Sequence, residues 1–154
     1  MQHNWIFQLS KSLAPEQRKP LQASLARLVA EWKSHGAMVP GAYDIKYDQF
    51  IVIQAEPGST SGCSIDSMNH GVDAILAEFG LETLPHNFIF YRNAEGQLEK
   101  VDFRELKAAV AAGKMGPDTT VYDSSLGQTD DITRWEVKMA DSWMARFLPA
   151  KQDA

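Results

Sequence analysis

The strongest constraint on the fold is a stripe of apolar residues at helical spacing in the middle of the chain. The stripe begins at Ile65, and Gly80 ends it. Apolar side chains three and four residues apart lie on one face of a helix, and that face needs burial against another element. The pattern therefore predicts an amphipathic helix with one buried face. Its apolar members are Ile65, Met68, Val72, Ile75, Leu76 and Phe79.

Short apolar runs before this helix predict the strands of an α+β fold. Residues 5–9 predict one buried strand, and residues 42–55 predict two antiparallel strands, of which the second is more deeply buried. A first helix should begin near Pro20, after a single earlier turn, because proline lacks an N–H and clashes inside a helix. Gly36, which follows His35, suits the left-handed end of that helix.

A further strand at residues 87–91 would complete the order β-α-β-β-α-β of a ferredoxin-like core. A turn at residues 93–96 and a strand at 98–101 then lead to a capping box of Asp102 and Glu105 at the start of a helix. The sequence thus predicts a ferredoxin-like core with a C-terminal β-α-β-α extension. The extension ends with a strand at residues 119–122 and a helix at 142–148, capped by Asp141, with Trp143 and Phe147 on one face.

Chain length favours one domain. The chain has 154 residues, the size of one ordinary domain, and can bury a core without metal or disulfide support. We therefore expect a single α+β domain at residues 1–149, within which residues 1–84 and 85–149 are possible subdomains. Residues 150–154 should form a frayed tail.

Charge and cysteine content exclude several classes of function. The formal net charge of −5 repels phosphate backbones, which argues against nucleic acid as a partner. The single cysteine, Cys63, excludes an intramolecular disulfide and a thiolate zinc cluster, and it fits a reducing compartment. The N-terminus lacks the pattern of an export signal, and no apolar run reaches the roughly 20 residues of a membrane span. We therefore expect a cytoplasmic protein without membrane contact.

Residues 59–70 bring the most reactive side chains together in the sequence. A thiol and several hydroxyls lie at a helix N-terminus, whose free N–H groups stabilise anions and thiolates. One interpretation is a site for an anion or a partner, and another is catalysis by Cys63 with His70 or His35 as base. A third is structural, with serines that cap the helix and a buried Cys63. The ligand-binding candidates are Ser61, Gly62, Cys63, Ser64, Asp66 and Ser67.

The sequence contains no motif for a metal or an organic cofactor. The four histidines show no paired spacing on a helix, so no transition-metal site is expected. The glycine patterns of phosphate-binding loops, dinucleotide-binding folds and α/β-hydrolases are also missing from the sequence. We therefore predict neither a metal nor a cofactor.

Three stretches carry a resemblance to a known family. They read Trp-Lys-Ser-His-Gly at residues 32–36, Phe-Ile-Val-Ile at 50–53 and Ser-Gly-Cys-Ser-Ile-Asp-Ser at 61–67, and the last is the specific one. In these stretches the chain resembles a family of small, uncharacterised bacterial proteins whose members are often labelled "ABC transporter ATPase". The resemblance implies no activity, and the missing phosphate-binding loop argues against the ATPase label.

Residues 88–135 carry a second resemblance. The strings Phe90-Tyr91, Phe103-Arg104-Glu105-Leu106 and Ala112-Gly113-Lys114 follow one another in the order of GYF-like modules, some of which bind proline-rich peptides. Glu99-Lys100 stands where those modules have Gly-Pro. The resemblance therefore implies a topology for this region and no binding residues.

These observations lead to three hypotheses about function. The leading one is a non-catalytic cytoplasmic protein that binds a protein partner or a small anionic ligand through residues 61–67. The second is a thiol-dependent enzyme with Cys63 as nucleophile. The third is a structural subunit of an assembly, a homo-oligomer among them, that associates through a sheet edge or a surface with Trp135 and Trp143.

Overall fold

The computed structural model describes residues 2–150, and the chain divides into two compact units. The first unit comprises Met1–Pro85 and Gln128–Asp131, and the second comprises His86–Gly127 and Ile132–Ala154. Both units combine helices with antiparallel strands, so the predicted α+β class is confirmed. The predicted tail at 150–154 lies outside the described residues except for Ala150. The single domain at residues 1–149 stays a prediction.

The first unit is built on a four-stranded antiparallel sheet. Its elements, labelled along the whole chain, are β1 (His3–Gln8), α1 (Pro15–Ala30), β2 (Lys33–Ser34), β3 (Ala37–Met38), β4 (Gly41–Lys46), β5 (Phe50–Ala55), α2 (Gly62–Glu78) and β9 (Gln128–Thr129). The sheet has the order β4-β5-β1-β9, while β2 and β3 form a separate hairpin. Strand β5 is central and almost fully buried, which explains its continuous apolar sequence.

The two helices of the first unit share one core with the sheet. α1 contacts both α2 and β4. Gly71 of α2 permits a close approach of α1, because a Cβ at that position would lie 2.6 Å from Leu28 Cδ1. The predicted stripe on α2 is confirmed, since all its members lie in this core or pack against it. The central core residues include Trp5, Leu21, Leu25, Trp32, Ile51, Ile53, Met68, Val72 and Leu76.

The start of the first helix was predicted wrongly. α1 is continuous from Pro15, and Pro20 lies inside it. Proline at residue 20 removes the N–H that would bind the carbonyl of Glu16. Both residues are exposed, so water can bind that carbonyl instead, and the helix tolerates the proline near its beginning.

The predicted end of this helix at Gly36 is also wrong. α1 ends at Ala30, and His35 and Gly36 form the turn of the β2–β3 hairpin, with φ angles of 51° and 81°. Two successive positive φ angles are the geometry of a type I′ hairpin turn, in which glycine is favoured. The glycine therefore marks a hairpin turn instead of a helix end.

The strand predicted at residues 87–91 does not complete the first sheet. It forms β6 (Phe88–Arg92), which pairs only with strands of the second unit among the described residues. The outer edge of β1 pairs instead with β9, and an isolated bridge joins Leu9 to Thr83. Pro85 follows that bridge closely and has no N–H to extend a ladder, which accounts for the short pairing.

The second unit has a sheet of its own and a short helix. Its elements are β6 (Phe88–Arg92), β7 (Leu98–Asp102), α3 (Leu106–Ala111), β8 (Thr120–Tyr122) and β10 (Glu136–Lys138). The strands lie antiparallel in the order β10-β8-β6-β7. The core of this unit includes Ile89, Tyr91, Val101, Leu106, Val121, Met139 and Met144.

The closing helix is shorter and tighter than predicted. It is a 3-10 helix at Trp143–Phe147, and Ser142 caps it instead of Asp141. The Ser142 hydroxyl accepts a hydrogen bond from the Met144 N–H at 3.1 Å. Asp141 belongs to the preceding 3-10 turn, Met139–Asp141, so it lies one residue too early to cap the last helix.

Candidate functional site

The predicted segment at residues 61–67 forms the capped beginning of α2. The Ser61 hydroxyl accepts a hydrogen bond from the Ser64 N–H at 3.2 Å, and the Ser64 hydroxyl accepts one from the Ser61 N–H at 2.7 Å. This reciprocal arrangement is a capping box made by two serines. Two hydroxyls of the predicted ligand site therefore satisfy the backbone of their own helix.

Two residues near the β2–β3 hairpin hold this segment in place. Trp32 donates its indole N–H to the Ser64 carbonyl at 2.8 Å, and the Ser34 hydroxyl donates to the Ser61 hydroxyl at 3.1 Å. Trp32 is buried and packs edge-on against Trp5, with ring centroids 5.7 Å apart. The start of α2 is thus fixed to the core of the first unit, through contacts that the sequence pattern did not reveal.

The thiol in this segment faces solvent. Cys63 is exposed, so the prediction of a buried cysteine is wrong. Ser64 is the buried residue of the first turn, and Met68 and Val72 continue its face one and two turns later. Because side chains on a helix repeat every three to four residues, the neighbouring Cys63 is turned away from the core.

The structure does not pair Cys63 with a predicted base. His70 lies seven residues further along α2, about 10.5 Å of helix rise, and both side chains tilt towards the helix N-terminus. Among the described residues, no hydrogen bond joins Cys63 to His70 or to His35, and no ion pair joins Asp66 to His70. Gly62, Asp66 and Ser67 are exposed, and their predicted roles in ligand binding stay predictions.

Residues 2–150 contain neither a cluster of metal ligands nor a helix suited to span a membrane. No three histidine, cysteine, aspartate or glutamate side chains in that range come together as ligands for a metal ion. None of the helices described there combines the length and the apolar character needed to cross a bilayer.

The second unit carries an exposed aromatic cluster. The ring of Phe103 lies 5.8 Å from the rings of both Trp143 and Phe147, which are 6.2 Å apart. The guanidinium carbon of Arg146 lies 5.3 Å from the Trp143 centroid and 5.0 Å from the Phe147 centroid. Phe103 is 38% exposed, and the other two rings are half-buried. We call Phe103, Trp143, Arg146 and Phe147 the aromatic surface.

Acidic side chains hold two of these rings. Asp102 accepts a hydrogen bond from the Arg104 N–H at 2.9 Å and so caps the 3-10 turn Phe103–Glu105, which precedes α3 and presents Phe103. The carboxylate of Asp123, which is buried, accepts one from the Trp143 indole N–H at 2.8 Å. The aromatic surface is therefore fixed by specific polar contacts.

The cap at Asp102 is reinforced by an ion pair. The Arg104 guanidinium lies 2.9 Å from the Asp102 carboxylate. Its side-chain hydrogen bond is the main cause that lowers the pKa of Asp102 to about 2, and the carboxylate in turn raises the pKa of Arg104. Asp102 is thus ionised and paired at neutral pH.

A groove of about 550 Å³ adjoins the aromatic surface and shares Arg146 and Phe147 with it. We call it the basic groove, because two cationic side chains and no acidic one from the described residues line it. None of the ion pairs among the described residues includes either cation. The other lining residues are Lys107, Val110 and Ala111 of α3, and Leu148 and Pro149, which follow the closing helix.

Sequence reasoning found only part of this surface. Of the two tryptophans predicted to line an association surface, Trp143 is partly exposed, but Trp135 is only 2% exposed and packs against Tyr122. The spacing of Trp143 and Phe147 was the available signal. Phe103 lies 40 positions earlier in the chain, and no periodicity connects it to them.

No family model, curated protein or solved structure matches the chain. The two resemblances carried by the sequence therefore stay expectations. The features that bear on function are the capped start of α2, the aromatic surface and the basic groove.

Proposed function

We propose that the chain is a non-catalytic binding protein that contacts a protein partner through the aromatic surface and the basic groove. The observation that carries this proposal is the cluster of Phe103, Trp143 and Phe147, three partly exposed rings beside one guanidinium. Tryptophan and arginine contribute more than other residues to binding at protein interfaces. A cytoplasmic location remains the expectation.

The core of the second unit does not account for the position of Phe103. Leu106, Val121 and Met144 are fully buried in that core, while Phe103 lies outside it. Full burial of a phenylalanine side chain contributes roughly 1.5–3 kcal/mol. A partner that covers Phe103 would supply the burial that the folded chain leaves incomplete.

The segment at residues 61–67 supports binding less well. The Ser64 hydroxyl donates to the Ser61 carbonyl and accepts from the Ser61 N–H, and the Ser61 hydroxyl accepts from the Ser64 N–H and from the Ser34 hydroxyl, so both are engaged within the fold. The amides of Gly62 and Cys63 remain, as at any helix N-terminus. Binding of a small anion there, and catalysis by Cys63, stay predictions that no second feature of the segment supports.

For the fold we infer a modified ferredoxin-like arrangement in the first unit. The support is the order β1-α1-β4-β5-α2 along the chain, interrupted only by the β2–β3 hairpin, and the antiparallel pairing of β5 with both β1 and β4. Residue 83 forms one bridge where a fourth strand would lie. A GYF-like topology for the second unit is likewise a proposal, supported by its β-β-α-β order.

Selection of a displayed library of random short peptides against the whole chain tests the proposed function. Selected peptides should bind Phe103→Ser at least about tenfold more weakly than the unmodified chain, as expected for a central aromatic contact. Met38→Ser is the matched control, because Met38 is 54% exposed on the first unit. Equal binding to Phe103→Ser, or failure to select any peptide, contradicts the proposal.

A further inference from the structure

We infer that the partner segment is an apolar peptide flanked by acidic side chains, an inference that rests on the proposed function. The basic groove is lined by Lys107 of α3 and by Arg146 of the closing helix. Within residues 2–150, no aspartate or glutamate lines it. A peptide with carboxylates on both sides of an apolar residue matches this arrangement of charge.

The charge of the groove contrasts with that of the chain. The chain has a formal net charge of −5, with 20 acidic side chains against 15 lysines and arginines. Arg18, Lys46, Arg104 and Lys138 do so in the described structure, each in an ion pair with an aspartate. Lys107 and Arg146 take part in none of those pairs. Two adjacent cations left unneutralised in an acidic protein favour an acidic ligand.

The geometry of Arg146 suits a carboxylate. Its guanidinium carbon lies within 5.3 Å of the ring centroids of both Trp143 and Phe147, which hold the group at the groove. The N–H groups project from the edge of the plane and can donate two parallel hydrogen bonds to one carboxylate. Asp102, the acidic residue beside Phe103, is already engaged by Arg104.

The apolar part of the groove lining suits an apolar side chain. Val110 and Leu148 are half-buried and line it together with Pro149. The volume of about 550 Å³ lies within the roughly 300–1,000 Å³ of ligand-binding pockets. The groove therefore has room for one or two large apolar side chains between the flanking carboxylates.

Three series of synthetic peptides test this inference. The series share the same randomised apolar centres and differ only in their flanks, which are acidic, serine or basic. In fluorescence-anisotropy titrations of the whole chain, the acidic series should bind about tenfold more tightly than the serine series at low salt, and the basic series more weakly than both. Added salt should reduce the difference in affinity between the three series, because it screens the exposed charges.

Variants of the two cations sharpen the test. Lys107→Gln and Arg146→Gln should each reduce the preference for acidic flanks, and Arg146→Lys should restore it only in part, because lysine keeps the charge but loses the planar fork. Lys114→Gln is the matched control, since Lys114 is exposed on the same unit but does not line the groove. An equal loss of preference in this control contradicts the inference.

The outcomes separate this inference from the proposed function. If the acidic and serine series bind equally well and both lose affinity for Phe103→Ser, the acidic partner is ruled out while the binding surface stands. If no series binds, the proposed function is contradicted as well. If sizing shows a dimer that Phe103→Ser dissociates, the occupant is a second copy of the chain and the inference is overturned.

Discussion

The capped start of α2 and the aromatic surface differ in how completely their chemical groups are satisfied. At residues 61–67, the hydroxyls of Ser61 and Ser64 bind the helix backbone, and Trp32 donates to the Ser64 carbonyl. At the aromatic surface, the polar contacts of Asp102 and Asp123 fix rings that remain partly exposed to water. The side chains at the start of α2 stabilise the fold. At the aromatic surface, the fold holds aromatic side chains in partly exposed positions.

A cluster of polar side chains is therefore not by itself a sign of a functional site. A cluster of hydroxyls at a helix N-terminus is what capping alone produces when both serines serve one backbone. Exposed aromatic rings need another explanation, because their burial would stabilise the chain. We therefore place the binding surface on the second unit.

Replacing a tryptophan by alanine should have the largest effect on the free energy of unfolding, and the size of that effect should differ most between the two regions. Trp32→Ala removes a buried ring and its hydrogen bond to Ser64, and should lower the free energy of unfolding by about 3–5 kcal/mol. Trp143→Ala, at a half-buried position, should lower it by less than half as much. Urea denaturation of both variants measures the difference. Equal losses would show that Trp143 stabilises the fold as much as the core residue Trp32 does, which would contradict the distinction between the two regions.

A smaller effect is expected at the helix cap. Ser61→Ala removes the acceptor for the Ser64 N–H and should lower the free energy of unfolding by about 1 kcal/mol. Ser67→Ala is the matched control, because Ser67 is exposed and makes no hydrogen bond among the described side chains, and it should change stability by less than about 0.5 kcal/mol. Neither variant should alter peptide binding. Weaker binding to Ser67→Ala would return the ligand site to residues 61–67.

The third prediction concerns the turn that presents Phe103. The pKa of Asp102 is lowered to about 2 from an ordinary 3.8, chiefly by the Arg104 side chain. Because the folded value is the lower one, this pair stabilises the chain above pH 3.8, and that contribution is lost as pH falls towards 2.

Arg104→Ala should therefore raise the pKa of Asp102 part of the way to 3.8, since the backbone hydrogen bond at residue 104 remains. The carboxyl ¹³C chemical shift of Asp102 against pH reports this change. Lys107→Ala serves as the control and should leave the titration where it is. An unchanged midpoint in Arg104→Ala would mean that the ion pair does not form in solution.

The smallest effect is expected at the exposed thiol. Iodoacetamide should alkylate Cys63 without unfolding the chain, and the alkylated chain should bind selected peptides as the unmodified chain does. His70→Ala and His35→Ala should leave the alkylation rate unchanged, because neither histidine contacts the thiol in the described structure. A rate that falls in either variant would support the thiol-enzyme hypothesis.

The local sequence predicted correctly those elements that have either several turns of helical periodicity or an unbroken run of apolar residues. The α2 stripe that ends at Gly80 and the buried β5 are both found, because each needs only its own sequence to specify burial. The errors fall where one residue suits two structures. Gly36 suits a helix end and a hairpin turn equally, and Pro20 is tolerated only because its surroundings are exposed.

The candidate site was less predictable than the fold. The cap at Ser61 follows from local sequence, but its contact with Ser34 joins residues 27 positions apart. Trp143 and Phe147 are four residues apart and could be recognised as one face, but Phe103 lies in the separate 3-10 turn Phe103–Glu105, which is too short to leave a periodic pattern. Sequence alone therefore indicated Trp143 and Phe147 without showing that Phe103 completes the cluster.

An amide ¹H–¹⁵N spectrum of the whole chain, titrated with a peptide selected from the displayed library, shows which of the two regions the peptide contacts. We expect signals from residues 103–111 and 143–148 to shift during the titration and signals from residues 61–67 to stay in place. Shifts confined to residues 61–67, with those of the second unit unmoved, would contradict this expectation.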